Sequence, residues 1–251
     1  MHSMILIDSI DSDYDHTCTG VGRTMPLRES KKHRIPMNHQ LLIREQHEIT
    51  PDLTLLDADE LARYQRLINP QKKLEFVSGR AFLKQVLAER LGVSPNTISL
   101  AITASGKPYL PALAKTTMPY FNLSHANGYY LIGLSSFPIG VDIEQPKAIE
   151  LTHVRHFLSP DEYQQLKSLP KALHTPLFFR LFTDKEAFLK ATDKGWALDD
   201  IRFQLENQYW KLTNPGDSFQ FYQTDYKDSY VSVCLDMNPI HPKISTPSAT
   251  R

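Results

Sequence analysis

Apolar and polar positions follow two different periods along this chain, and the longer period marks its helices. From Leu56 onwards, apolar residues recur every three or four positions, which is typical of one face of an α-helix. Asp57 and Glu60 form a predicted capping box at its start, and Asn69 and Pro70 are predicted to end it. The spacing therefore predicts a short amphipathic helix between these signals.

Three further segments carry a helical pattern. Residues 72–92 have a broad apolar stripe, and Gly92 supplies the stop signal. Ser159 caps another predicted helix, with Glu162 as its capping-box partner. A last helix is predicted from about residue 175 to residue 192. Each half of the chain thus contains one long predicted helix preceded by a short one.

Short segments with alternating apolar residues, separated by turn residues, predict β-strands. The predicted strands are TISLAI, YFNLS, GYYLIGLSS and IGVDIE in the middle of the chain, and FQL, YWKL, SFQFYQ and YVSVCL near its end. Residues 1–38 lack this periodicity, which predicts a poorly ordered leader, and the Pro- and Ser-rich residues 238–251 predict a flexible tail.

An internal repeat suggests how these elements are organised. RAFLK at 80–84 returns as EAFLK at 186–190, each time after a capped Asp-Glu helix and a proline. The recurrence predicts two related halves, although such ordinary helix-forming residues also recur by chance. We expect an α+β fold of two pseudo-twofold-related subdomains, each a small, mainly antiparallel sheet packed with a long helix. The expected N-terminal subdomain covers residues 39–122 and the C-terminal subdomain residues 123–237, with the active site in the cleft between them.

The composition restricts the class of partner. Lys plus Arg equals Asp plus Glu, at 28 each, so no overall charge draws the chain onto nucleic acid or an anionic membrane. The two cysteines, Cys18 and Cys234, are too few for a disulfide framework or a zinc site, which favours the reducing cytoplasm. MILIDSI is too short for a signal-peptide core, and no apolar run is long enough to span a membrane.

Three acidic residues are candidates for a metal site. In IGVDIE, the two-residue period of a strand places Asp142 and Glu144 on the same face. A solvated outer face is the simpler explanation of that alternation. Likewise, Glu186 and Lys190 lie one helical turn apart and can be an exposed ion pair. The alternative is that the three carboxylates share a magnesium ion, which prefers oxygen ligands and often bridges them to phosphate.

Several basic and polar residues could bind an anion. Ser124 and His125 lie at the end of a predicted strand, and Lys107 lies in a turn beside a glycine and a proline. A lone loop histidine or turn lysine is more often simply solvated. Arg80 is surrounded by apolar residues on the long helix, and a buried guanidinium needs an anionic or hydrogen-bonding partner. Phosphate would satisfy it.

The order of five motifs resembles a known family. GRAFLKQVLAERLG, GKPYL, FNLSH, GVDIE and FTDKEAFLK follow one another as in the 4′-phosphopantetheinyl transferases, specifically the two-repeat, monomeric surfactin-type subclass. Each motif is weak alone, but their order over residues 56–196 is specific. The similarity continues less distinctly to about residue 235.

The resemblance implies an activity and its partners. Enzymes of this family transfer 4′-phosphopantetheine from coenzyme A, with Mg²⁺, to a serine of an apo acyl or peptidyl carrier protein, and release adenosine 3′,5′-bisphosphate. Asp142, Glu144 and Glu186 occupy the family's metal-binding positions, and Glu186 is also the favoured base for the serine proton. Lys190 matches the lysine near the pyrophosphate, and His125 matches a histidine that contacts a phosphate.

The same resemblance implies a coenzyme A site. Arg63 and Arg80 match basic positions that receive the adenosine 3′-phosphate. Two segments match those that line the nucleotide: Ile102, Thr103, Ala104, Ser105, Gly106 and Lys107, followed by Asn122, Leu123, Ser124 and His125.

Two positions depart from the family pattern. Phe182 stands where the family usually has Trp, and Asp193, Lys194 and Gly195 stand where it has Gly-x-Gly. The second change predicts a stiffer and more polar loop. Two other hypotheses fit the residues: a coenzyme A-binding module that has lost catalysis, and a magnesium-dependent nuclease. The retained acids and Lys190 argue against the first, and the neutral charge balance argues against the second.

Overall fold

A computed structural model describes residues 39–111, 120–193, 201–214 and 218–237. The predicted leader and tail lie outside these residues, and so do Cys18, Lys194 and Gly195. Within the described part of the chain, no helix is both long enough and apolar enough to cross a membrane.

The first half forms a three-stranded sheet and two helices. Its elements are β1 (Gln40–Glu45), α1 (Ala58–Arg66), α2 (Pro70–Leu91), β2 (Ala101–Ile102), β3 (Pro108–Tyr109), β4 (Tyr120–Ala126) and β5 (Tyr129–Ser135). The sheet has the order β1-β5-β4 with antiparallel pairs, while β2 and β3 form a separate hairpin. Phe82, Leu83 and Leu87 of α2 share a buried core with Tyr130 and Ile132 of β5. The long helix therefore covers one face of the sheet.

The second half repeats this arrangement. Its elements are β6 (Ile139–Glu144), α3 (Leu151–Val154), α4 (Pro160–Lys167), α5 (His174–Thr192), β7 (Arg202–Glu206), β8 (Tyr209–Asn214), β9 (Phe219–Tyr226) and β10 (Ser229–Asp236). The sheet has the order β6-β10-β9 with antiparallel pairs, and β7 and β8 form the hairpin. Only α3 has no counterpart among the described elements of the first half.

The repeated order of elements confirms the predicted α+β fold. A buried cluster joins the halves, because Leu41 and Leu131 of the first sheet pack with Val141, Ile143 and Val233 of the second. The expected subdomain boundary after residue 122 falls inside β4, whereas the repeat of elements ends after β5. The division into subdomains at residues 39–122 and 123–237 therefore stays a prediction.

Local signals set the helix ends. The capping box of Asp57 and Glu60 begins α1 as predicted, and Gly92 ends α2 in the left-handed conformation, at φ 66°. However, α1 ends at Arg66, and Asn69 instead caps α2 by accepting a hydrogen bond from the Lys72 amide. The signals predicted to end one helix therefore begin the next one.

One predicted strand is much shorter than its pattern suggested. TISLAI gives strand only at Ala101–Ile102, because Pro95–Thr97 forms a 3₁₀ turn that Pro95 begins. Ile98 and Leu100 are nevertheless buried against α2. Their apolar alternation reflects burial of this segment without strand pairing.

The two halves also share a buried contact. Lys84 Nζ donates to Glu60 Oε2 at 2.6 Å and to the Leu55 carbonyl at 2.7 Å. Lys185 Nζ donates to Glu162 Oε2 at 2.5 Å and to the Phe157 carbonyl at 3.1 Å. In both halves, a buried lysine binds the capping-box glutamate and the carbonyl five residues before it. Alignment of RAFLK with EAFLK does not reveal this equivalence, because it pairs Lys84 with Lys190 and not with Lys185.

Candidate active site

A buried aspartate lies where the two halves meet. Asp142 on β6 is 2% exposed. Its Oδ1 accepts hydrogen bonds from Ser124 Oγ of β4 at 2.8 Å and from Lys190 Nζ of α5 at 2.6 Å. Lys190 Nζ also donates to Ser124 Oγ at 3.0 Å. Strands from both halves and the second long helix thus meet at one carboxylate.

Strand and helix periods explain this convergence. Val141 and Ile143 of β6 lie in the core between the sheets, so Asp142 projects to the other face, toward α5. Glu144 lies on that same face of the strand, and Glu186 and Lys190 are one turn apart on α5. The simpler explanations fail for two residues, because Asp142 is buried and Lys190 pairs with Asp142.

The charges of the three acids and of Lys190 affect one another. Burial, and then the charge of Asp142, raise the pKa of Glu144 to about 7, while Lys190 partly offsets them and Glu186 adds to them. Burial and Asp142 likewise raise the pKa of Glu186, against the opposing effect of Lys190. The single ammonium group of Lys190 therefore does not neutralise the negative charge gathered here.

The carboxylates fit a divalent cation in chemistry, and Asp142 has a free oxygen to offer it. Asp142 Oδ2 is buried without a hydrogen-bond partner, and a buried unpaired acceptor is costly. Carboxylate oxygens are the ligands that Mg²⁺ prefers. As they are arranged, however, no three His, Cys, Asp or Glu side chains of the described residues are close enough together to hold a metal ion. The metal role of Asp142, Glu144 and Glu186 therefore stays a prediction, which requires side-chain rotation.

The first predicted nucleotide segment is the turn between β2 and β3. Ile102, Ala104 and Ser105 are exposed there, and Gly106 takes a positive φ of 93°. Lys107 is not simply solvated. Its Nζ donates to the main-chain carbonyls of Ile139 and Lys190, and burial lowers its pKa to about 8. Lys107 thus connects this turn to β6 and to the C-terminal end of α5.

The second predicted segment, on β4, divides between structural and exposed positions. Asn122 Oδ1 accepts the Val141 amide at 2.9 Å, which ties β4 to β6. Leu123 packs against the core beneath α2. Ser124 binds Asp142, whereas His125 is exposed beside the Tyr130 ring, with the ring centroids 5.6 Å apart. Of these four residues, Ser124 therefore belongs to the group around Asp142, and His125 follows it on the strand.

The two predicted arginines form a separate basic group on α1 and α2. The guanidinium carbons of Arg63 and Arg80 lie 5.4 and 5.3 Å from the centroid of the Phe76 ring. Arg80 is 7% exposed, and its Nε lies 3.0 Å from Glu60 Oε1. Glu60 therefore supplies the anionic partner that a buried guanidinium needs. Arg63 is exposed, and a role for the pair in binding phosphate stays a prediction.

Gly140 is the first residue of the GVDIE motif, but the sequence analysis gave it no role in the site. A Cβ atom at this position would lie 1.9 Å from the Ala187 carbonyl oxygen and 2.3 Å from the Ala191 amide nitrogen. Only glycine lets the backbone of α5 approach β6 this closely. The position of Glu186 and Lys190 relative to Asp142 depends on that approach.

Replacing Gly140 with Ala should therefore destabilise the protein by about 1–3 kcal/mol, because α5 must move away from β6. Chemical denaturation measures this change. Gly79→Ala is the matched control, since its Cβ would make an ordinary contact of 3.4 Å with Leu123 inside a helix. The control should be neutral or slightly stabilising. An unchanged denaturation midpoint for Gly140→Ala would contradict the close packing.

Comparison with known proteins supplies the family. Residues 44–136 match the family model of the 4′-phosphopantetheinyl transferase N-terminal region. Residues 138–238 match that of the 4′-phosphopantetheinyl transferase superfamily. The two matches meet at the junction between β5 and β6.

Individual relatives agree. A putative 4′-phosphopantetheinyl transferase of Synechocystis sp. is 42% identical over 144 residues, which cover 56% of this chain and 58% of that protein. The 4′-phosphopantetheinyl transferase HetI of Nostoc sp. is 36% identical over 154 residues, or 60% of this chain and 65% of HetI. The chain thus aligns with less than two thirds of these two relatives.

A third relative is covered more fully. The 4′-phosphopantetheinyl transferase ffp of Bacillus subtilis is 30% identical over 154 residues, which cover 61% of this chain and 67% of that protein. The adjoining family matches, the repeated α+β halves and these relatives together show that the chain belongs to the 4′-phosphopantetheinyl transferase superfamily.

Proposed function

We propose that this protein transfers the 4′-phosphopantetheine group of coenzyme A to a serine hydroxyl of an apo acyl or peptidyl carrier protein. The observation that carries the proposal is the meeting of Ser124, Asp142 and Lys190 at the junction of the halves, with Glu144 and Glu186 electrostatically coupled to them. The relatives' shared name supports the activity. We further propose that the protein acts as a cytoplasmic monomer on carriers of fatty-acid, polyketide or nonribosomal-peptide synthesis.

The reaction exchanges one phosphorus–oxygen bond for another. The carrier serine oxygen attacks the pyrophosphate phosphorus that bears the pantetheine arm. The bond from that phosphorus to the bridging oxygen breaks, and its electron pair leaves with adenosine 3′,5′-bisphosphate. The serine proton must pass to a base. Positioning and stabilisation of the developing negative charge are the protein's main contributions to such a step.

Glu186 is suited to receive that proton. Burial, and then the charge of Asp142, raise its pKa, which makes it a stronger base than a solvated glutamate. Its place on the same face of α5 as Lys190 puts the base beside a fixed cation. Proton transfer and charge stabilisation can therefore occur side by side.

We expect Lys190 and His125 to act on the phosphate oxygens. Lys190 Nζ is held by Ser124 and Asp142, and the Lys190 side chain is 27% exposed, so it can also donate to a ligand in the cleft. His125 is exposed next to Ser124 on β4. Donors fixed in advance stabilise charge on a leaving group without the cost of reorganisation.

Magnesium completes the proposal. Asp142, Glu144 and Glu186 would hold the ion, and the unpaired Asp142 Oδ2 is the oxygen that lacks another partner. When bound, Mg²⁺ would neutralise charge on the pyrophosphate and polarise it. Burial, and then repulsion from Asp142, raise the pKa of Glu144 and Glu186, and a bound cation would relieve that repulsion.

The direct test is a transfer assay. The protein is incubated with coenzyme A, Mg²⁺ and a panel of apo carrier proteins, and the carriers are examined by mass spectrometry. We expect a phosphopantetheine adduct on at least one carrier, lost when EDTA removes the metal. Coenzyme A binding without an adduct on any carrier would contradict the proposal in favour of a non-catalytic binding module.

A further inference from the structure

Asp193 occupies an unusual place at the end of α5. It follows the last helical residue, Thr192, and adopts the left-handed conformation, with φ 53° and ψ 26°. Glycine is the residue that tolerates this conformation best, because a side chain crowds the backbone there. A carboxylate is also unfavourable at a helix C-terminus, where the helix dipole is negative. Two local preferences therefore oppose an aspartate at this position.

Contacts with the other half of the molecule offset both disadvantages. Asp193 Oδ1 accepts hydrogen bonds from Thr103 Oγ1, at 2.9 Å, and from Ser105 Oγ. Both donors belong to the turn between β2 and β3. The negative charge of Asp193 also favours the protonated form of Lys107, whose ammonium group donates to the Lys190 carbonyl in the last turn of α5. The aspartate and the lysine thus connect the same turn to the same helix end.

The turn is itself ordered around Thr103. The Lys107 amide donates to Thr103 Oγ1 at 3.1 Å, and the Gly106 amide donates to the Thr103 carbonyl at 3.0 Å. Thr103 Oγ1 and Ser105 Oγ lie 2.9 Å apart, so both hydroxyls can point at the one carboxylate oxygen. Asp193 is therefore the shared acceptor at the centre of a hydroxyl network that fixes the turn.

We infer that Asp193 is a positioning residue that holds the turn of residues 103–107 against α5 and thereby sets the affinity for coenzyme A. The inference rests on the proposed function and on the family resemblance, which implies that this turn lines the nucleotide of coenzyme A. It goes beyond that function because Asp193 itself touches neither the reacting atoms nor the proposed metal ligands.

The physical basis is preorganisation. The nucleotide of coenzyme A would meet the turn, while its pyrophosphate would meet Lys190 three residues before Asp193 on the same helix. The hydrogen bonds from Thr103 and Ser105 to Asp193 fix the distance between these two contact regions before the ligand binds. A turn that is already ordered loses less conformational entropy on binding, so affinity rises.

Asp193→Gly tests the inference, because glycine keeps the left-handed backbone and removes only the carboxylate. We expect the Kd and KM for coenzyme A to rise about tenfold through loss of two hydrogen bonds, with kcat changed less than about twofold. Hydrogen exchange should accelerate in residues 101–109. The corresponding hairpin of the second half, β7 and β8, should exchange unchanged and serves as the internal control.

Asp193→Asn is the matched variant. Asparagine tolerates the left-handed conformation and retains a side-chain oxygen that accepts from both hydroxyls. Its Kd and its exchange rates should therefore stay close to those of the unmodified protein. If the Kd and the exchange rates changed equally in both variants, the hydrogen bonds from Thr103 and Ser105 to Asp193 would not be what holds the turn, and the inference would be overturned.

The outcomes separate this inference from the proposed function. If the unmodified protein transfers phosphopantetheine but Asp193→Gly changes neither the Kd nor the exchange of residues 101–109, the inference alone is overturned. If the unmodified protein binds no coenzyme A, the proposed function fails, and the role in affinity fails with it. A raised Kd, together with faster exchange confined to the turn, supports the inference.

Discussion

Replacing Glu186 with Gln should lower the rate of phosphopantetheine transfer by about 10²–10⁴-fold, the usual contribution of a general base. Glutamine keeps the length and shape of the side chain but cannot accept the serine proton. It also removes one of the three proposed ligands of Mg²⁺. Coenzyme A should still bind within a fewfold of its normal affinity, because the turn of residues 103–107 and Lys190 are unchanged. Single-turnover transfer and calorimetric binding of coenzyme A measure the two quantities separately.

Glu89→Gln is the control for this prediction. Glu89 is an exposed residue near the end of α2, so its replacement removes the same charge far from the proposed chemistry. We expect transfer by that variant to be normal. If Glu186→Gln retained full transfer activity, Glu186 would be neither the base nor a required metal ligand.

The parts of the fold that depend on local sequence could be predicted. The capping boxes Asp57–Glu60 and Ser159–Glu162 form as expected, since each joins residues only three positions apart. The strands of the two three-stranded sheets also follow from apolar alternation, except β1, since no strand was predicted at Gln40–Glu45. Such signals act within one or two turns of the chain, so tertiary packing seldom overrides them.

The site depended on contacts that no local pattern specifies. Lys190 is 48 residues from Asp142 in sequence, and its bond to that carboxylate depends on how closely α5 packs against β6 at Gly140. Asp184 is a second example. It is fully buried, it accepts from Ser232 Oγ at 2.6 Å, and burial raises its pKa to about 7. The motifs identified the types of residue at these positions, but they did not identify the residues that Lys190 and Asp184 contact in the fold.

The repeated sequence motif was a poorer guide to equivalent residues in the two halves than the repeated contacts. RAFLK and EAFLK pointed to two related halves, and the order of elements confirms the relationship. Yet the buried lysine contact that the halves share involves Lys84 and Lys185, which the letters do not align. A long, flexible side chain can reach the same partner from different helical positions. The stability of each half therefore depends on its capping-box glutamate.

Replacing Glu162 with Gln should destabilise the protein by about 3–5 kcal/mol, the cost of leaving a buried charge without its partner. Glu162 has no exposed surface and pairs with Lys185, which is 2% exposed. Glu162 also accepts the Ser159 amide at 2.7 Å and the Phe203 amide at 3.2 Å, so it joins α4, α5 and β7. Glutamine has a single side-chain oxygen, so it can replace only one of the two carboxylate oxygens, and it leaves the ammonium group of Lys185 without a counter-charge.

Two comparisons make this prediction decisive, both measured as free energies of unfolding by chemical denaturation. The exposed pair of Glu150 and Lys171 is the control, and Glu150→Gln should cost no more than about 1 kcal/mol. The double variant Glu162→Gln with Lys185→Met should be more stable than Glu162→Gln alone, because it removes the unpaired charge and leaves an apolar side chain in its place. If Glu162→Gln cost no more than Glu150→Gln, or if the double variant were the less stable of the two, burial of an unpaired ammonium would not be what Glu162 prevents.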